Sequence, residues 1–217
     1  MKRKVLFLDM DGTLYPIEQA SFLCSPVHDQ IRERTIKYIC EKSGKNLEEA
    51  KKIFEKLMKD YPKCYSFGLE EWFGFNRKEY LDYSWNMEAS KLIKPQPELR
   101  YLLKDFSEKY DIYLVSDAPG IWIKNVINFL GIGTFLKGQF SGTDLNKNKK
   151  EGLFRELLIK TSSPPREAYM VGDEDDIDIM PANKEGIITI HITKDKGSSG
   201  HYKANNLKEA RDILMSS

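Results

Sequence analysis

Residues 5–8, Val-Leu-Phe-Leu, form a short unbroken apolar run that stops at Asp9, Met10, Asp11, Gly12 and Thr13. A run of that length suits a strand buried on both faces of a parallel sheet. From residue 95 onward the pattern switches repeatedly between strand and helix periods. Pro97 opens an amphipathic stretch with Leu99, Leu102, Leu103 and Phe106 at helical spacing. Residues 111–115 read as a strand ending at Ser116 and Asp117, and residues 121–130 as a helix closed by Gly131. Residues 152–159 predict a helix, and residues 168–171 a strand that ends at Gly172 and Asp173. A short helix over 177–184, a strand over 187–192 and a final helix over 207–215 complete the pattern. Alternation of this kind predicts an α/β fold with a doubly wound parallel sheet.

Residues 17–90 carry no strand-like segment. Leu47, Ala50, Phe54, Leu57 and Tyr61 recur at three- and four-residue spacing, widened by Ile53 and Met58. Ile31, Ile36, Ile39 and Cys40 make a second, weaker face before Gly44. Asn46 with Glu49 three residues later is a capping signal for the helix beginning at Leu47, and residues 76–87 predict another helix. The expected organisation is a catalytic core of residues 1–16 and 91–217, with a helical cap of residues 17–90 inserted after the first strand, over the strand tips.

Composition narrows the function classes. The 217 residues suffice for one core domain and a modest insert. A net charge of +1 favours neither nucleic acid nor an anionic membrane. No apolar stretch approaches the roughly 20 residues that span a bilayer. The basic start, Met1-Lys2-Arg3-Lys4, is followed by an apolar run that Asp9 interrupts too early for a signal peptide. Cys24, Cys40 and Cys64 are odd in number and lack metal-ligand spacing, so reduced thiols in a cytoplasmic protein are expected. His28, His191 and His201 are scattered and read as surface or packing residues.

The polar residues at the predicted strand tips suit phosphate chemistry. Alternate residues of an extended segment face the same way, so Asp9 and Asp11 could share a divalent cation, one as nucleophile and the other as proton carrier. The Ser116 hydroxyl and backbone amide could grip a phosphoryl oxygen, and Lys150, at a predicted helix start, offers positive charge to the same group. Asp173 ends another strand, with Asp178 five residues on and Glu174, Asp175 and Asp176 between. Lys147 and Lys149 lie beside Lys150, and the spacing leaves open which of the three reaches the site.

These motifs, in this order, resemble those of the haloacid dehalogenase superfamily over essentially the whole core: Asp9-Met10-Asp11-Gly12-Thr13, then Ser116, then Lys150, then Gly172-Asp173 with Asp178. The resemblance implies a Rossmann-like core, attack on phosphorus by Asp9 to form an aspartyl phosphate, and proton transfer by Asp11. It implies Mg²⁺ held by the Asp9 carboxylate, the Asp11 backbone carbonyl and Asp173, with Asp178 supporting that shell. The dehalogenase branch lacks the second acid, so Asp11 points to phosphoryl transfer. Asp117 stands where many relatives carry Asn; an ionised carboxylate only accepts hydrogen bonds, so Asp117 either faces away from phosphate or meets a donor on the substrate.

The expected activity is therefore a Mg²⁺-dependent phosphatase acting on a small phosphorylated metabolite, from a monomer or weak dimer without nucleic-acid or membrane partners. Residues 78–83 and 92–99, with Asp11-Gly12-Thr13-Leu14-Tyr15-Pro16, more loosely resemble pyrimidine 5′-nucleotidases, which points to nucleoside monophosphates. Aromatics crowd residues 65–85, where they either stack on a base or form the core of the cap. The alternatives are a phosphomutase, a sugar-phosphate or phosphoglycolate phosphatase, and an inactive member that binds a phosphorylated ligand or a protein.

Overall fold

A computed structural model describes residues 3–17, 22–62, 64–195 and 197–216. The chain divides into two compact units, Met1–Ile17 with Ile93–Ser217, and Glu18–Leu92.

The larger unit is built on a six-stranded parallel sheet, β1 (Lys4–Leu8), β2 (Tyr110–Ser116), β3 (Leu136–Ser141), β4 (Ala168–Gly172), β5 (Ile188–Ile192) and β6 (Tyr202–Ala204). Their order across the sheet is β3-β2-β1-β4-β5-β6, every pairing parallel. The chain winds outward from β1 through β2 to β3, then returns to the middle and winds the other way. β1 and β4 are thus the two central strands, and the place where the winding reverses lies between their carboxyl ends. Ligands of open α/β sheets sit at such a reversal. Both strands are almost wholly buried, which is why they read as unbroken apolar runs.

The helices connecting these strands follow the periodicity seen in the sequence. α5 (Leu99–Lys109) buries Leu99, Leu102, Leu103 and Phe106, and α6 (Gly120–Leu130) ends at Gly131 in the left-handed conformation. α7 (Leu153–Thr161) contributes Leu153, Phe154 and Leu157 to a cluster with Val5, Phe7, Val115 and Met170. A single π turn, Asp175–Ile179, leads into the short α8 (Met180–Lys184), and α9 (Leu207–Ser216) closes the unit.

Two strands had no counterpart in the sequence reading. β3 lies at a sheet edge and carries Lys137, Gly138 and Gln139; its weak alternation of Leu136, Gly138 and Phe140 against two polar residues was the available signal. β6 is three residues long at the opposite edge, too short for any period to show. The predicted helix over 177–184 begins instead as the π turn. Such turns inside helices occur often at functional sites.

The smaller unit is helical: α1 (Pro26–Ser43), α2 (Leu47–Asp60), α3 (Tyr65–Phe73) and α4 (Arg77–Trp85). Ser25, Asn46 and Asn76 cap α1, α2 and α4 by accepting a backbone N–H, and Asn46 with Glu49 forms the full capping box. Of the aromatics over residues 65–85, Tyr65 and Tyr80 are buried, Trp72, Phe73, Phe75, Tyr83 and Trp85 are partly buried, and Phe67 is exposed. The Tyr38 ring lies 5.6, 5.4 and 5.2 Å from those of Phe75, Tyr80 and Tyr83. Buried hydroxyls are satisfied internally, Tyr80 with Thr35 at 2.8 Å and Tyr65 with His28 at 2.9 Å. His28 is accordingly a packing residue. No described helix is long and apolar enough to cross a membrane.

Candidate active site

Asp9 follows β1 immediately, and its backbone N–H still pairs with the Val171 carbonyl at 2.9 Å, so β1 and β4 carry their acids to the same edge. Gly12 turns the chain at φ +86°, and a Cβ there would overlap the Asp173 carboxylate. The Asp9–Thr13 loop can approach the end of β4 only because residue 12 has no side chain. Thr13 reaches across with its hydroxyl 3.5 Å from Asp173 Oδ1. Gly172 serves the same purpose on the other side, since a Cβ there would collide with Asp178. Gly12→Ala is expected to lower stability, and a thermal melt checks this: a melting temperature unchanged from wild type would contradict it.

The π turn swings Asp178 back under the site. Its Oδ2 accepts the Glu174 N–H at 3.1 Å, and its Oδ1 accepts from Lys149 Nζ at 2.6 Å. Lys149 Nζ also donates to Asp9 Oδ1. Lys149 is 3% exposed although lysine is seldom buried without partners. Lys150, assigned to the site from the sequence, is a correction: it is exposed and pairs with Asp176, while Lys147 pairs with Glu156. The physical reason is a boundary. α7 starts at Leu153, so Lys150 is not at a helix start but in the turn before it, where Lys149 is the buried lysine and Lys150 is exposed.

Asp117 explains how Lys149 is held. Its Oδ1 accepts the Lys149 backbone N–H at 3.0 Å, while its own carbonyl accepts the Thr143 hydroxyl at 2.6 Å. The carboxylate that replaces the common Asn therefore engages the lysine loop, where an acceptor is what the backbone requires. Beside it, Ser116 is buried, and its Oγ accepts the Ala118 N–H at 3.1 Å. That leaves the Ser116 hydroxyl hydrogen to donate elsewhere.

Four carboxylates and one ammonium form an uneven electrostatic balance. Burial pushes Asp9 well above the ordinary carboxylate range; Lys149 pulls it down, and Asp178, Asp173 and Asp11 push it up again. Asp173 is raised to about 7 by burial, then by Asp178 and Glu174, and Asp11 is raised to about 6, chiefly by burial. Burial opposes the charge on Lys149, yet Asp178, Asp9 and Asp117 outweigh it and hold the ammonium well above its usual range. Excess buried negative charge of this kind calls for another cation.

The donor set fits one. Carboxylate oxygens of Asp9, Asp173 and Asp178 lie within 4.8 Å of one another, and Asp9 Oδ2 is buried with no hydrogen-bond partner. An all-oxygen set suits a hard divalent ion.

Two further residues belong to this region: His191, expected from the sequence to be a surface or packing residue, and Tyr15. His191, in register with Gly172 on the neighbouring strand, is buried with Nε2 3.0 Å from the Asp173 carbonyl and Nδ1 2.8 Å from Ser198 Oγ. A carbonyl only accepts, so Nε2 carries the hydrogen. Tyr15 donates its phenolic hydrogen to Asp11 Oδ1. The spacing of Asp11 and Tyr15 in a turn-forming loop was the available signal for the second; nothing local marked the first.

Residues 3–186 match the family model of the haloacid dehalogenase-like hydrolases. The fold is similar to that of a HAD phosphatase from Thermococcus onnurineus, 21% identical with a TM-score of 0.70 and 97% of each chain covered. It is also similar to a 2-haloacid dehalogenase from Pseudomonas syringae pv. Tomato DC3000, at 16% identity, TM-score 0.63 and 99% of each chain. A third similar structure is the HAD-hydrolase YfnB from Bacillus subtilis, described as bound to magnesium, at 16% identity and TM-score 0.61 over 99% of this chain and 100% of that one.

Proposed function

This chain belongs to the haloacid dehalogenase-like hydrolases, and on that premise we propose that it hydrolyses a small phosphomonoester through an aspartyl phosphate on Asp9. The observation that carries the choice between phosphate and halide is Asp11, half-buried beside the nucleophile and held by Tyr15. A carbon–halogen bond releases an anion that needs no proton, whereas an alkoxide leaving group needs one.

The steps follow from this chain's residues. An Asp9 carboxylate oxygen attacks phosphorus as the bond from phosphorus to the ester oxygen breaks, and the departing oxygen takes a proton from Asp11. Water then attacks phosphorus, Asp11 recovers a proton from it, and the Asp9 carboxylate leaves. Lys149 and the Ser116 hydroxyl face the developing charge on the phosphoryl oxygens, and Asp117 fixes the Lys149 backbone. Asp9 and Asp173 would hold Mg²⁺, joined by the Asp11 carbonyl if the family resemblance holds at that atom, while Asp178, the third carboxylate of the cluster, also anchors Lys149. When bound, that ion supplies charge neutralisation for an anionic substrate among acids.

The test is a panel of nucleotide, sugar and small-acid phosphomonoesters beside 2-haloacids, with phosphate and halide assayed in parallel. Phosphate release that depends on Mg²⁺, with no halide, is expected. Preference for nucleoside monophosphates would support the nucleotidase resemblance of the cap exit. In Asp11→Asn, alkyl-ester hydrolysis should fall by about 10²–10⁴-fold, the usual contribution of a positioned acid–base group. Halide release by the native chain would overturn the reading.

A further inference from the structure

The Asp11–Tyr15 contact has a consequence for which oxygen of Asp11 can work. Resting on the phosphomonoesterase reading, we propose that Tyr15 is a positioning residue for the acid–base step: its hydroxyl occupies Asp11 Oδ1 and so assigns the working proton to Oδ2.

Three observations support this. The loop between the two residues is closed on itself by backbone, since Gly12 N–H donates to the Tyr15 carbonyl at 3.0 Å, Leu14 N–H to the Met10 carbonyl at 3.0 Å, and Asp11 bridges Tyr15 in parallel register. Tyr15 is 2% exposed, so its ring cannot swing out to water. Asp11 as a residue is partly exposed, and Oδ1 is the oxygen that Tyr15 engages, which leaves Oδ2 as the oxygen outside that contact.

The chemistry follows from counting hydrogens. A tyrosine hydroxyl has one hydrogen to give, and a neutral carboxyl has one of its own. With the phenolic hydrogen on Oδ1, the hydrogen of protonated Asp11 sits on Oδ2. In the first half-reaction Oδ2 gives it to the departing ester oxygen, and in the second Oδ2 takes one from water, while Tyr15 keeps its hydrogen throughout. The proton balance closes over one turnover. Without the clamp, Asp11 could rotate or present its hydrogen on the wrong oxygen, and small misplacements of catalytic groups are costly.

A buried tyrosine also needs some acceptor merely to be stable, so the test must separate positioning from packing. The readout is kcat/KM, which reports steps up to aspartyl phosphate formation, for an alkyl phosphate and for p-nitrophenyl phosphate. The aryl leaving group departs as a stabilised anion and leans little on an acid. Tyr15→Phe is expected to lose about tenfold or more on the alkyl ester and to stay close to wild type on the aryl ester. In an Asp11→Asn background the same substitution should cost nothing further. Equal loss on both esters, loss on neither, or a full additional loss in Asp11→Asn would each overturn the proposal. The phosphatase reading is judged separately in the same assay: wild-type turnover of neither ester, or turnover that survives Asp9→Asn, would sink that reading itself.

Discussion

Asp9→Asn is expected to remove phosphomonoester hydrolysis almost entirely, by about 10⁴-fold or more, because loss of a covalent nucleophile leaves only binding and electrostatics. The protein should remain folded. Burial and three neighbouring acids already disfavour a charge at this position, and the amide is nearly the same shape. Lys149 keeps its bond to Asp178. A melting temperature near wild type together with lost turnover would fit this account. Retained turnover would show that another group attacks phosphorus.

The second large effect is expected at Lys149, in contrast to its neighbour. Lys149→Met leaves Asp9 and Asp178 facing each other in the interior without their shared cation. Removing one partner of a buried ion pair costs about 3–5 kcal/mol, although carboxyl protonation offsets part of that loss. Turnover should drop by about 10²–10³-fold, the scale seen when one transition-state donor is removed. Lys150→Met should behave like wild type in both respects, since its ammonium pairs with Asp176 at the surface. Chemical denaturation and steady-state kinetics on the pair check this. A reversed pattern would restore the sequence-based assignment of Lys150.

How much of this was legible in the sequence depended on how strongly each residue's place was dictated by a period. β1 and β4, buried on both faces, announce themselves as apolar runs, and the acids that end them follow directly. The helical faces of α2, α5 and α6 were equally plain. Edge strands are not, because half their surface is free to be polar, and β3 and β6 escaped for that reason. Loops have no period at all. The sequence predicts Lys150 at a helix start, but the residues before Leu153 form a turn, where no period tells which of three neighbouring lysines is buried. The sequence allows Asp117 two orientations, and its carboxylate accepts the Lys149 backbone N–H. His191 reaches Asp173 only because β4 and β5 pair in a particular register, a long-range fact invisible in local sequence.

The smaller unit shows the same limit in another form. Its dense aromatics were compatible with base stacking or with a core. Tyr65 and Tyr80 are core residues and Phe75 and Tyr83 pack on the buried Tyr38 ring, whereas Phe67 is exposed.

The central claim is that Asp9 is phosphorylated during turnover. The most direct test mixes Asp11→Asn with a ³²P-labelled phosphomonoester carrying an aryl leaving group, in Mg²⁺, and quenches it in acid. The substitution spares the first half-reaction of such an ester while slowing attack by water. Radiolabel on the peptide containing Asp9, released by hydroxylamine and missing when Asp9 is also changed to Asn, is the predicted result. Turnover of the ester by the native chain with no label ever found on Asp9 would contradict the account.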